Sequence, residues 1–211
     1  MISIMSITKG EDGQELCSSI ENMSNLRSLD VHITKGEVLD LQFLSSPPLL
    51  LQRLELKGAL EKFPNWISSL HNLKRLYLGG SKLRDDPLEV LQALRNLVKL
   101  ILDNTYDGEE LCFKAGGFPA LKYLHLCKFE RLKLVRVEDG AMPHLEELTI
   151  VEFKMLEKVP LGIEFLANLK FMDFAYMPKE FATALNPTKI GGGVWMRVDW
   201  RNKHLEGHYL E

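Results

Sequence analysis

One pattern of leucines recurs along most of this chain and leaves few folds open to it. The spacing L-x-x-L-x-L is occupied by Leu26, Leu29 and Val31, then by Leu51, Leu54 and Leu56, and by Leu73, Leu76 and Leu78. It continues at Leu97, Leu100 and Leu102, at Leu121, Leu124 and Leu126, at Leu145, Leu148 and Ile150, and at Leu169, Met172 and Phe174. Successive starts lie 25, 22, 24, 24, 24 and 24 residues apart. One period before Leu26, Ile2, Met5 and Ile7 fill the same three positions; one period after Leu169, Met196 and Val198 fill the second and third, and Gly193 holds the first. A single such motif is cheap in a leucine-rich chain, but seven at a near-constant period imply repeated copies of one supersecondary unit. Side chains alternate across a strand, so each motif reads as a short strand with one apolar face, and no unit can bury that face alone.

The units must therefore stack, and a period within roughly 20–29 residues is that of leucine-rich repeats. The predicted fold is an α/β leucine-rich-repeat solenoid, with a curved parallel sheet on the concave face and short helices or irregular arcs on the convex face. Eight or nine strands about 4.8 Å apart span roughly 35–40 Å. Residues 1–185 are expected to form the repeat domain, with about eight repeats, the first truncated, and residues 186–211 a C-terminal capping strand and tail. In the return segments, Asp86, Pro87 and Glu89 read as a helix N-cap, a first-turn proline and a capping-box acid, followed by Val90, Leu91 and Leu94 at helical spacing. Pro64, Ile67 and Leu70 share a P-x-x-I-x-x-L step with Pro160, Ile163 and Leu166, whereas 116–119 and 140–143 predict Gly/Pro turns. Segment 32–50 is the least regular, with a loop at 45–48.

Many leucine-rich repeats place an asparagine eight residues after the first leucine. Here those positions hold Ala59, Ser81, Thr105, Phe129 and Phe153, which predicts fewer side-chain bonds to loop backbone and irregular arcs. Trp66 is expected to pack on the convex side. The alternation over 194–200 predicts a strand that shields the last repeat from water and edge pairing. The strand at 2–7 has no comparable cover, which predicts further sequence upstream of it.

With 211 residues, a net charge of -3, 45% hydrophobic and 26% charged residues, the composition is that of an ordinary globular domain with no global attraction to nucleic acid or anionic membrane. Three cysteines without a C-x-x-C pair argue against a disulfide framework and for a reducing, cytoplasmic setting. No apolar run spans a membrane, and the apolar start lacks the basic flank of a signal peptide.

Little in the chain suggests catalysis or cofactor binding. His204 and His208 are four apart, but Glu206 is misplaced for the H-E-x-x-H zinc order, so a tail is expected there. His125, Cys127 and Cys112 offer three donor atoms at a spacing that fits no metal motif. Gly191, Gly192 and Gly193 lack the Lys-Ser/Thr and helix of a phosphate cradle, which leaves a loop. No catalytic residue, cofactor or metal is assigned, and the chain is expected not to be an enzyme.

Residues 40–185 resemble the C-terminal leucine-rich-repeat region of plant coiled-coil NB-LRR (NLR) disease-resistance proteins. The likeness is carried by 46–54, 60–67, 117–124, 140–148, 156–163 and the closing Met177, Pro178, Lys179, Glu180 and Phe181. It implies pathogen sensing in innate immunity. In that family the repeat region contacts effectors or guarded host proteins and packs on the nucleotide-binding module to keep it inactive. This chain lacks the G-x-x-x-x-G-K-[ST] phosphate loop, so ATP/ADP switching is not assigned to it.

The residues between the motif leucines should line the concave face. Arg53, Lys57, Lys74, Arg75, Lys99 and Lys122 concentrate basic charge on the middle strands, and Tyr77, Ile101, Tyr123, His125 and Phe171 add aromatic or apolar groups. Tyr and Arg are enriched among interface hot spots, which predicts a protein partner with an acidic surface. The plainer alternative is a solvated polar face with no single partner. The expected function is non-catalytic recognition and autoinhibition in an immune receptor. The second option is a stand-alone intracellular leucine-rich-repeat scaffold or a truncated receptor paralogue.

Overall fold

The computed structural model describes residues 2–7, 13–33, 36–42, 44–184, 194–200, 203–204 and 208–209. Along the chain come β1 (Ile2–Ile7), α1 (Gly13–Glu21), β2 (Ser28–Ile33), β3 (Val38–Leu39), β4 (Arg53–Lys57), β5 (Ala59–Leu60), β6 (Arg75–Gly79) and α2 (Leu88–Leu91). Then follow β7 (Lys99–Asp103), β8 (Glu110–Phe113), β9 (Tyr123–Cys127), β10 (Leu134–Val137), β11 (Glu147–Val151), β12 (Phe171–Met177), α3 (Lys179–Ala184), β13 (Trp195–Trp200), β14 (Lys203–His204) and β15 (His208–Tyr209). Strands β1, β2, β4, β6, β7, β9, β11, β12 and β13 lie side by side in that order and pair in parallel, one strand per turn. β14 and β15 pair antiparallel with β13. This is the leucine-rich-repeat solenoid that the leucine period requires.

Every motif leucine points inward. Leu51, Leu97, Leu121 and Leu145 are fully buried, as are Leu54, Leu100 and Leu126, and they form one continuous core down the stack. Along β7, β9 and β11 buried residues alternate with half-exposed ones, the signature of strands with one dry face.

From β2 onward the motif positions pair with their counterparts, Leu54 with Leu76, Leu76 with Leu100 and Leu148 with Met172. At the C-terminal end Met196 pairs with Met172 and Val198 with Phe174, as the period predicts. The first turn departs from expectation: Ile2 pairs with Ser28 and Met5 with Val31, so Ile2 does not stand opposite Leu26. The return arc there carries α1, nine residues long, with Leu16, Cys17 and Ile20 facing the core. A helix advances only about 1.5 Å per residue against about 3.3 Å for a strand, so a helical arc consumes more residues over the same path.

Each turn leaves the sheet through the same left-handed corner. The residue seven after the first motif leucine has positive φ in six successive turns: Gly58, Gly80, Asn104, Lys128, Glu152 and Tyr176. In five of these its N–H donates to a carbonyl of the neighbouring strand, as from Asn104 to Cys127 and from Lys128 to Val151 at 2.8 Å. The next position, where the asparagine ladder is missing, turns inward instead. Thr105 Oγ1 donates to the Leu78 carbonyl at 2.8 Å, while Phe129 and Phe153 are fully buried with ring centroids 5.1 Å apart.

The convex side is irregular but not random. Asp86 accepts the Leu88 N–H at 2.8 Å where α2 begins, but Pro87 takes the N-cap position and the helix lasts only four residues. The two P-x-x-I-x-x-L steps become single 3-10 turns at Asn65–Ser69 and Ile163–Phe165. Trp66 is buried, and its indole N–H donates to the Leu41 carbonyl at 2.9 Å. Just ahead of the Gly/Pro turns a second parallel sheet forms from β8 and β10, and a bridge from Arg136 to Leu161 extends it.

Candidate recognition face

The outward residues of the main sheet form three columns. The register sets Arg53, Arg75, Lys99, Tyr123, Glu147, Phe171 and Trp195 side by side in the first. Glu55, Tyr77, Ile101, His125, Thr149 and Asp173 form the second, and Lys57, Gly79, Asp103, Cys127 and Val151 the third. Arg53, Arg75, Tyr77, Lys99, Ile101 and Tyr123, all anticipated from sequence, line one open depression of about 560 Å³. Lys57 and His125 stand beside it. Phe171 is three strands from Lys99, stacked on Trp195 with centroids 4.8 Å apart. Lys74 and Lys122 do not belong to the strands: each precedes its first residue, because the extended pairing begins at Arg75 and Tyr123.

The basic stripe is less uniform than its residue types suggest. Glu55 accepts hydrogen bonds from Arg53 and, at 2.9 Å, from Lys57. Lys57 Nζ also lies 3.2 Å from His32 Nε2 and 5.2 Å from the centroid of the Tyr77 ring. Lys122 and Lys170 clasp Glu146 at 2.8 and 2.7 Å, and their hydrogen bonds hold its carboxyl down at about 2. Lys99 Nζ stands 5.9 Å from the Tyr123 ring centroid.

Tyr77 donates its hydroxyl proton to Asp103 at 3.2 Å; burial, then Asp103, push the phenol up to about 12. Its ring lies across Gly79, where a Cβ would come within 2.6 Å of the ring. His125 Nε2 is 3.1 Å from Glu147 Oε1 without hydrogen-bond alignment. Burial, then Lys99, hold the imidazole below its ordinary value and favour the neutral form. Burial, then Asp103, push the Cys127 thiol up to about 11, so it stays protonated at neutral pH.

The other candidate donors are not brought together. Cys112 is on β8 in the convex sheet, 3.7 Å from Glu138, in a different layer from His125 and Cys127. Asp30, His32 and Glu55 do converge, with donor atoms within 4.8 Å of one another, but the Lys57 ammonium already bonds both Glu55 and His32. The glycine run 191–193 and residues 205–207 between the tail histidines lie outside the described residues. Among the described residues no helix is long and apolar enough to cross a membrane.

Sequence reasoning missed two outward pairs, the Phe171–Trp195 stack and Arg197 bound to Asp173, the first bond at 2.9 Å. Both partners are 24 residues apart, so extending the period by one turn would have found them.

A stack of parallel strands presenting one broad face of charged and aromatic side chains defines a repeat protein of the interaction type. Residues 2–183 match the family model described as a leucine-rich repeat region, and the chain belongs to that family. It is 35% identical over 180 residues to disease resistance protein RPM1 of Arabidopsis thaliana, covering 85% of this chain and 19% of that protein. It is 29% identical to probable disease resistance RPP8-like protein 2 of Arabidopsis thaliana, covering 88% and 20%. Against disease resistance protein Pik-2 of Oryza sativa subsp. japonica the identity is 34%, covering 79% and 18%. The chain thus spans about a fifth of the length of these plant disease-resistance relatives.

Proposed function

We propose that this chain is the partner-recognition segment of a plant immune receptor acting in the cytoplasm, and that its concave face binds an acidic protein surface. The depression bordered by Arg53, Arg75 and Lys99 carries the reading, because it gathers cations and aromatic groups on one face of a fold built for protein contact. Likeness to disease-resistance proteins supports the immune setting. The partner is a pathogen effector, a guarded host protein, or a nucleotide-binding module that the repeats hold inactive. No catalytic role is included.

The test is co-precipitation from leaf tissue with wild-type protein and with Arg53→Glu/Arg75→Glu. Charge reversal is expected to abolish capture of the wild-type partner; unchanged capture overturns the assignment of the face. A transcript encoding a phosphate-loop module in frame supports the receptor; its absence favours a stand-alone scaffold.

A further inference from the structure

The cations of this face are not equivalent. Arg53 and Lys57 are held by Glu55, and Lys122 by Glu146. Arg75 and Lys99 are adjacent in register on β6 and β7, and among the described residues neither is ion-paired. Lys74 is also outside any ion pair but does not line the depression. Arg75 and Lys99 line the depression from neighbouring strands about 4.8 Å apart, so an anion seated there meets two positive charges that no carboxylate among the described residues already pairs with.

Two residues along the same strands, Tyr77 and Ile101 face each other in register. The Tyr77 ring is drawn toward Gly79 and Asp103, which leaves Ile101 as the open apolar floor, with Tyr123 as its neighbouring wall. Glu55, on one side, is already held by Arg53 and Lys57, and Asp103 by Lys128. Glu147 lines the other side, where it repels a second negative charge and confines the attraction to one acidic group.

Resting on the reading of this face as a partner site, we infer that the depression takes an extended protein segment in which an acidic side chain stands two residues from an apolar one. The carboxylate sits between Arg75 and Lys99, and the apolar side chain covers Ile101 against Tyr123. In an extended chain residues i and i+2 point the same way about 6.6–6.8 Å apart, the same step that separates Lys99 from Ile101 along β7. One strand-like segment therefore reaches both contacts.

Panning a random twelve-residue peptide display library against the full chain tests this. Enriched peptides are expected to carry Asp or Glu two residues from Leu, Ile, Phe or Tyr. Their binding should fall about tenfold or more in Arg75→Gln and in Lys99→Gln, the effect of losing a charge-assisted hydrogen bond. Arg53→Gln should also lower binding, but several-fold less than Arg75→Gln, because its charge is shared with Glu55. Circular dichroism checks that each variant keeps the fold. Equal losses from Arg53→Gln and Arg75→Gln overturn this assignment and leave the broader reading standing. An acidic-to-apolar spacing of three or four, the step of a helix, overturns the extended geometry. Enriched peptides without acidic residues, binding indifferent to all three changes, or no enrichment overturn both.

Discussion

At the scale of single residues, two positions show how the solenoid constrains side chains that a sequence presents as ordinary. His125 sits in the middle of the recognition face, and burial plus Lys99 lower its proton affinity below the usual imidazole value of 6.5. Between the folded and unfolded values the unfolded chain binds more protons, so stability is complete above the unfolded value and falls as the solution is acidified through it. Thermal denaturation from about pH 7.5 to about pH 5.5 should lower the melting temperature of the wild type more than that of His125→Gln. Equal losses would show that His125 is not the titrating group. Gly162 adopts φ +79, and a Cβ there would lie 1.9 Å from the Val137 carbonyl oxygen; Gly140, at φ +81, has nothing within 4 Å of the same position. Left-handed strain costs an alanine about 1–2 kcal/mol at either site. Only Gly162→Ala must also push the convex sheet away. Urea unfolding should therefore show Gly162→Ala as the more destabilising by more than about 1 kcal/mol, and equal values would sink the close-approach argument.

At the scale of elements, the arcs follow from what replaces the missing asparagines. Thr105 keeps one side-chain bond to a neighbouring turn, while Phe129 and Phe153 fill the same column with packed rings. The column thus passes from polar bonding to dispersion and apolar burial. Phe129→Ala and Phe153→Ala should each cost about 3–5 kcal/mol, and a double-mutant cycle should show coupling of about 0.5–1.5 kcal/mol from ring contact. Additive losses would mean that the two rings are buried independently. The convex sheet was legible but went unread: Leu111 and Phe113, Val135 and Val137, and Val159 and Leu161 alternate at the 24-residue period. Their short apolar runs were overshadowed by the Gly/Pro turns that follow. Helix α1 was also open to reading, since Leu16, Cys17 and Ile20 repeat at helical spacing. The left-handed corners were not. Lys128 and Glu152 have no preference for positive φ, and the repeated N–H bond to the next turn places them there.

At the scale of the whole molecule, stability and recognition share one scaffold. Each turn buries its leucines against its neighbours, so the stack behaves as a chain of coupled units. The outward columns do not contribute to that core and are free to carry charge and aromatic surface. Six of the eleven anticipated partner residues meet in one depression, since a constant period stacks equivalent positions. Lys74 and Lys122 fall off the strands because pairing starts one residue later than the leucine spacing suggests.

The leucine period by itself determined the stack, the parallel register from β2 onward and the residues that face outward. Periodicity is a property of the chain alone, and burying one apolar face per turn has one solution. The tertiary structure decided which cations remain available. Arg53 and Arg75 occupy equivalent places in sequence, yet Glu55 holds one and leaves the other open. Charge neutralisation depends on the separation of side-chain heads, and that distance exists only once the strands are laid side by side.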